Sequence, residues 1–177
     1  MNLYQFKKYY WLFVLVAFFA GCFWIYEAKQ SQESINLAIT VFGGVVSFFF
    51  VIQKQVTEDI RIFRELFTDF NDRYNQLNSK INHIANKDSE LSEEDKYILF
   101  DYFNLCGEEY LYYKKHFILE EVWITWCKGI SVFMQKPKIR SLWDEEQKES
   151  AYYGLTFDII DKSAKKYKRR SPCFNFW

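Results

Sequence analysis

The sequence predicts an all-α protein, with a transmembrane helical hairpin at the N-terminus followed by a cytoplasmic helical bundle. Three observations lead there. Two uncharged, aromatic-rich stretches of eighteen residues, Tyr9 to Tyr26 and Ile35 to Ile52, stand eight residues apart. As an α-helix each would be about 27 Å long, close to the hydrocarbon thickness of a bilayer, about 30 Å. Beyond them the apolar residues Ile60, Phe63, Phe67, Phe70, Tyr74, Leu77, Ile81 and Ile84 recur at alternating steps of three and four, the period of one helix face. No segment carries the two-residue alternation or hairpin turn chemistry that a sheet needs. The chain thus divides into a hairpin over 1–54, with spans at about 9–26 and 35–52, a helical domain over 55–161 and a basic, aromatic-ended tail over 162–177.

The flanks of the first stretch favour spanning over burial in a protein core. Tyr9, Tyr10 and Trp11 mark one end and Trp24 and Tyr26 the other, the two headgroup levels where amphipathic rings settle. Lys7 and Lys8 before an apolar run also fit a secretory signal, but the run is too long and aromatic, and a second apolar stretch follows it closely. Lys7, Lys8, Lys54, Arg61 and Arg64 lie outside the pair of spans, whereas the short connection holds Lys29 beside Glu27 and Glu33. The positive-inside rule then places both termini in the cytoplasm, and the expected location is a bacterial inner membrane. Cys22, Cys106, Cys127 and Cys173 are scattered without CxxC spacing, so neither a disulfide framework nor a metal site is expected.

The periodic segment continues the second span to about Ala85, its apolar seam facing either its own domain or another subunit. Ser92-Glu-Glu-Asp95 has the form of a capping box and opens a helix to about Lys115. Glu120 and Glu121 suit the positive end of a further helix, which stops near Pro137. Shorter helices are expected at about Ile139 to Gln147 and Leu155 to Tyr167.

The formal charge of zero and mean hydropathy of −0.26 hide a local excess, since residues 162–170 hold six basic side chains and no acid. Lys165, Lys166, Lys168, Arg169 and Arg170 form a candidate partner- or membrane-binding tail, with anionic lipid, RNA or protein as its target, and Asp144, Glu145, Glu146 and Glu149 are possible intersubunit partners. The chain has only two histidines, His83 and His116, and contains no Gly-rich phosphate loop, HExxH or G-x-S-x-G motif. No cofactor is expected. Five asparagines, Asn71, Asn75, Asn78, Asn82 and Asn86, line one side of the long helix, either solvated or hydrogen-bonded to a neighbour.

The second span carries the sharpest functional signal. At 100° per residue Asn36, Thr40, Gly43 and Ser47 fall within an arc of about 60°, and Lys54 continues the line. Such a stripe either packs against another helix or faces a water-filled passage, because lipid would leave its polar groups unpaired. Ala17 and Gly21 form a small-xxx-small step that could nest against Gly43 or Gly44. Two helices cannot enclose a pore, so the pore reading requires a homo-oligomer.

The small all-α domain resembles the HEPN family, whose ribonucleases place an arginine and a histidine on one helix with four to six residues between them. Asn78, Leu77 and Gln76 stand at those places before His83, and Leu111, Tyr110 and Glu109 before His116. The arginine is missing, which leaves Asn78 and His83 as a degenerate remnant and no catalytic residue to name. The segments FRELFTDFNDRYNQLN (63–78), DYFNLCGEEYLYYKK (101–115), EVWITWCKGI (121–130) and YYGL (152–155) resemble the small accessory membrane proteins of type VI-B CRISPR systems. That resemblance implies an oligomeric pore that strengthens antiviral defence by depolarising the inner membrane, beside an RNA-guided RNA nuclease. A membrane-anchored HEPN-like ribonuclease and a non-conducting scaffold are the alternatives.

Overall fold

The computed structural model describes residues 12, 15–16, 18–23, 26, 32–147 and 151–166, and everything described is helix, turn or coil without a strand. The chain divides into two compact units, Met1–Ile60 and Arg61–Trp177, and the long helix α1 (Gln32–Asn86) contributes to both.

In the first unit the described residues between Leu12 and Tyr26 are helical, and the Phe18 ring lies 6.1 Å from that of Phe42 on α1. The α1 segment is long and apolar enough to cross a membrane, and none of its most apolar window is buried. Tyr9, Tyr10, Trp11, Ala17, Trp24 and Lys29 lie outside the described residues.

The second unit is an aromatic helical bundle. After α1 come α2 (Glu93–Lys114), α3 (Glu120–Met134), α4 (Pro137–Glu146), a tight turn at Tyr152–Gly154 and α5 (Phe157–Ala164). Local chemistry sets these boundaries. Ser92 caps α2, its Oγ accepting from the Asp95 N–H at 3.2 Å while Asp95 accepts from the Ser92 N–H at 2.9 Å, the reciprocal box the sequence suggests. Lys87 ties the end of α1 to the same carboxylate at 2.8 Å, and this pairing holds the Asp95 carboxyl down at about 2. Pro137 does not merely stop α3. It occupies the first turn of α4, where its missing N–H costs nothing.

The apolar seam of α1 is absorbed within this unit. Phe70, Ile81 and Ile84 are buried, and Phe63, Tyr74 and Leu77 pack against the core, while Phe67 stays half exposed against Trp126. Rings hold the centre: Trp143 stacks on Tyr152 at 4.9 Å and meets the edge of Phe103 at 4.9 Å. Tyr152 and Tyr153 both have positive φ, 59° and 57°, ahead of Gly154 at 82°. Burial of the Tyr152 ring offsets that backbone strain. The turn also needs Gly107, because a Cβ there would sit 3.0 Å from Tyr152 Cβ.

Candidate functional site

The candidate site in the first unit is the polar stripe of α1. Asn36, Thr40, Gly43, Ser47 and Lys54 are all exposed. Thr40 donates through Oγ1 to the Asn36 carbonyl at 2.9 Å, a bond that satisfies the hydroxyl proton within the helix. The opposite side of the same helix behaves differently. Within residues 35–52 the half-buried positions are Ala38, Val45, Phe49 and Ile52, and with Asn36 set to zero they fall at about 160° to 220°, whereas the stripe falls within about 40° of zero. The helix therefore turns an apolar side inward and its polar stripe outward.

Among the described residues nothing lies within 4 Å of a Cβ built at Gly21, Gly43 or Gly44. Ala17 lies outside the described residues.

In the second unit the sequence-derived candidates separate. Asn78 is half buried, and its Oδ1 accepts from the Tyr74 hydroxyl at 3.1 Å and from Asn82 Nδ2 at 2.7 Å. His83, five residues on, points about 140° away and is exposed beside Asn82, Asn86 and Lys87 around a shallow concavity of about 350 Å³. The asparagine row is held by its own helix, Asn71 donating to the Phe67 carbonyl and Asn82 to Asn78, while Asn86 accepts from Lys136 at 3.4 Å.

His116 has a backbone role. It sits past the end of α2 with φ 64°, its N–H bonded to the Tyr113 carbonyl at 2.9 Å and that of Phe117 to the Tyr112 carbonyl at 3.0 Å. This is a Schellman turn, completed by the Phe117 ring against Tyr112 at 6.1 Å. A left-handed residue at a helix end was not legible in the sequence, where histidine stands in place of glycine.

Sequence reasoning also missed Glu109. This acid is only 6% exposed, and burial pushes its carboxyl up to about 8 despite the guanidinium of Arg73. Arg73 itself is committed to the neighbouring Glu108 through two bonds of 2.6 and 3.1 Å. Tyr74, Tyr102, Cys106 and Cys127 lie within electrostatic reach of the acid, and burial raises the titration of every one of them. The Glu-Glu pair on a helix was the available signal: one carboxylate reaches outward to arginine, and the other is carried inward by the next 100° of rotation.

At the end of the described chain Lys165 pairs with Asp161 and Lys166 with Glu120, each at 2.6 Å, while Lys168, Arg169 and Arg170 lie outside the described residues. Asp144 is engaged by Arg140 at 2.8 Å, and Glu149 lies outside the described residues. No group of side chains able to hold a metal ion occurs among the described residues. No protein-family model, curated protein or solved structure matches the chain.

Proposed function

We propose that the chain is a subunit of an oligomeric membrane pore that strengthens CRISPR-associated antiviral defence by depolarising the inner membrane. In this reading the N-terminal stretches form a hairpin with both termini in the cytoplasm, and the second unit is a degenerate HEPN-like domain beside an RNA-guided RNA nuclease. One observation carries the pore: the half-buried side of α1 and its polar stripe lie on opposite faces. A hairpin that packs through its apolar side leaves Asn36, Thr40, Gly43 and Ser47 facing away from its own chain. In a bilayer the amide of Asn36 and the hydroxyls of Thr40 and Ser47 are better served by water than by hydrocarbon. A ring of copies turns the stripes toward one axis, where water solvates them, and brings Lys54 to one mouth of the passage.

Ion flux from proteoliposomes, together with the mass of the protein in detergent, tests this reading. Ser47→Leu and Asn36→Leu are expected to lower flux while assembly persists, since each replaces a water-facing polar group by an apolar one. Loss of assembly in step with flux identifies the stripe as a packing seam and supports a scaffold. A monomeric mass refutes the pore outright. RNA cleavage by the purified protein that disappears in His83→Ala would instead support the ribonuclease.

A further inference from the structure

The α2–α3 loop and the adjacent end of α5 form a surface that the pore reading leaves without a role. Phe117 is 41% exposed and Leu119 58% exposed, both at the tip of a loop held rigid by the Schellman turn. Exposed apolar surface at a fixed tip is costly in water. Lys114 and Lys115 precede the loop and Glu120 and Glu121 follow it, and the ion pair of Lys166 with Glu120 ties the end of α5 to it, with Lys162 four residues earlier. Lys114 also bonds the Tyr153 carbonyl at 3.5 Å and lies 5.2 Å from the Tyr110 ring centre. Lys114, Lys115 and Lys162 form no ion pair with a carboxylate among the described residues, and all three are exposed. The sequence then continues with Lys168, Arg169 and Arg170.

We infer that this edge docks on anionic lipid headgroups, with Phe117 and Leu119 entering the headgroup layer and Lys114, Lys115 and Lys162 pairing with phosphates. An exposed apolar tip with more lysines than acids in its flanking segments has the composition of an interfacial membrane contact. Nucleic acid is served less well, because Leu119, the more exposed of the two, offers no stacking face. The inference rests on the membrane reading of the first unit but is independent of conduction. It gives the helical unit a lipid-dependent attachment, so that its freedom to meet a partner depends on the charge of the surface beneath it. Near a charged bilayer three lysines shift the docked-to-undocked ratio on the order of a hundredfold.

The test uses the full chain in nanodiscs of phosphatidylcholine or phosphatidylglycerol. Leu119→Cys retains a small apolar side chain as a reporter, with Cys22 and Cys173 changed to serine and the buried Cys106 and Cys127 left in place. Labelling by a membrane-impermeant maleimide is expected to slow about tenfold or more in phosphatidylglycerol. A control chain carrying Asn104→Cys, at an exposed position of α2, should label alike in both discs. Adding Lys114→Gln, Lys115→Gln and Lys162→Gln should abolish the difference at position 119. Equal labelling of Leu119→Cys in both discs, with the chain inserted in each, overturns the docking edge and leaves the membrane anchor standing. Failure to insert in either disc overturns both. Protection by polyuridine rather than by lipid charge overturns the inference in favour of RNA.

Discussion

Replacing Glu109 by glutamine should stabilise the helical unit, and do so only where the native carboxyl would be forced to ionise. Glu109 is enclosed by Arg73 and Tyr74 of α1, Tyr102, Cys106 and Glu108 of its own helix and Cys127 of α3, and the one cation among these is taken by Glu108. An ordinary glutamate loses its proton near 4.5, whereas this one holds it to about 8. The sign follows from linkage. Between those values the unfolded chain is deprotonated and the folded one is not, so folding takes up a proton and stability falls with rising pH. Each pH unit in that window costs about 1.4 kcal/mol. At pH 7.5, three units above 4.5, the native carboxyl has therefore cost about 4 kcal/mol, against under 1 kcal/mol at pH 5. Glutamine keeps the shape and polarity of the neutral acid and has no proton to lose.

Native-state hydrogen exchange of core amides in α2 and α3 reads the unfolding free energy of this unit with the full chain in nanodiscs. Wild type and Glu109→Gln should agree near pH 5 and diverge by about 4 kcal/mol at pH 7.5, with the slope removed in the variant. Because both chains share every other titrating group, the difference isolates position 109. Parallel curves across this range would show that the carboxyl ionises freely and that water or Arg73 reaches it, and the pocket argument would fail.

Three further outcomes follow from the same packing. Gly107→Ala should destabilise the unit by about 1–3 kcal/mol despite alanine's better helix propensity, because its Cβ meets the backbone and Cβ of Tyr152 at 3.0 to 3.1 Å; a lowered Tm checks it. His116→Gly should raise stability by up to about 1 kcal/mol, since φ 64° suits glycine, which the Tm would show. Asp95→Ala should cost about 1–2 kcal/mol through loss of the capping box and of the contact with Lys87. In the native chain that support is complete above pH 4 and fades as pH falls through about 2, which acid unfolding monitored by tryptophan fluorescence would detect.

Periodicity, caps and breakers made the helical architecture legible. The three-and-four spacing from Phe63 to Ile84 predicts one buried face, and Ser92 with Asp95 marks the start of α2, because both signals act within a turn or two of the backbone. What remained hidden depends on distant partners. Nothing near Glu109 in sequence says that Arg73 will choose Glu108, and nothing in YYGL says that two tyrosines will adopt positive φ, since Trp143 and Phe103 hold that turn from elsewhere in the chain. The two histidines show how composition misleads. Both are rare enough to suggest chemistry, yet one occupies a helix-terminating turn and the other stands in the open about 140° round the helix from Asn78.

The stripe on α1 is the point at which sequence and structure together exceed either alone. From the sequence, Asn36, Thr40, Gly43 and Ser47 fit a packing seam as well as a water-facing wall, because small and polar residues serve both. The half-buried residues break that symmetry within one chain: Ala38, Val45, Phe49 and Ile52 already supply the side that turns inward, and a helix of this length has no third face for a second seam with the same chain. The polar side is left to another copy, to water, or to both. In the proposed pore, small residues at Gly43 and Gly44 would allow close approach between copies, while Asn36, Thr40 and Ser47 would face water. Lys54 lies beyond the apolar span and is served by water in either arrangement, so the amide and the hydroxyls are what distinguish a wetted axis from a dry seam. If the proposed pore conducts, flux that survives Lys54→Leu but fails in Ser47→Leu would place its narrow part at the hydroxyl; the reverse would place it at the charged mouth.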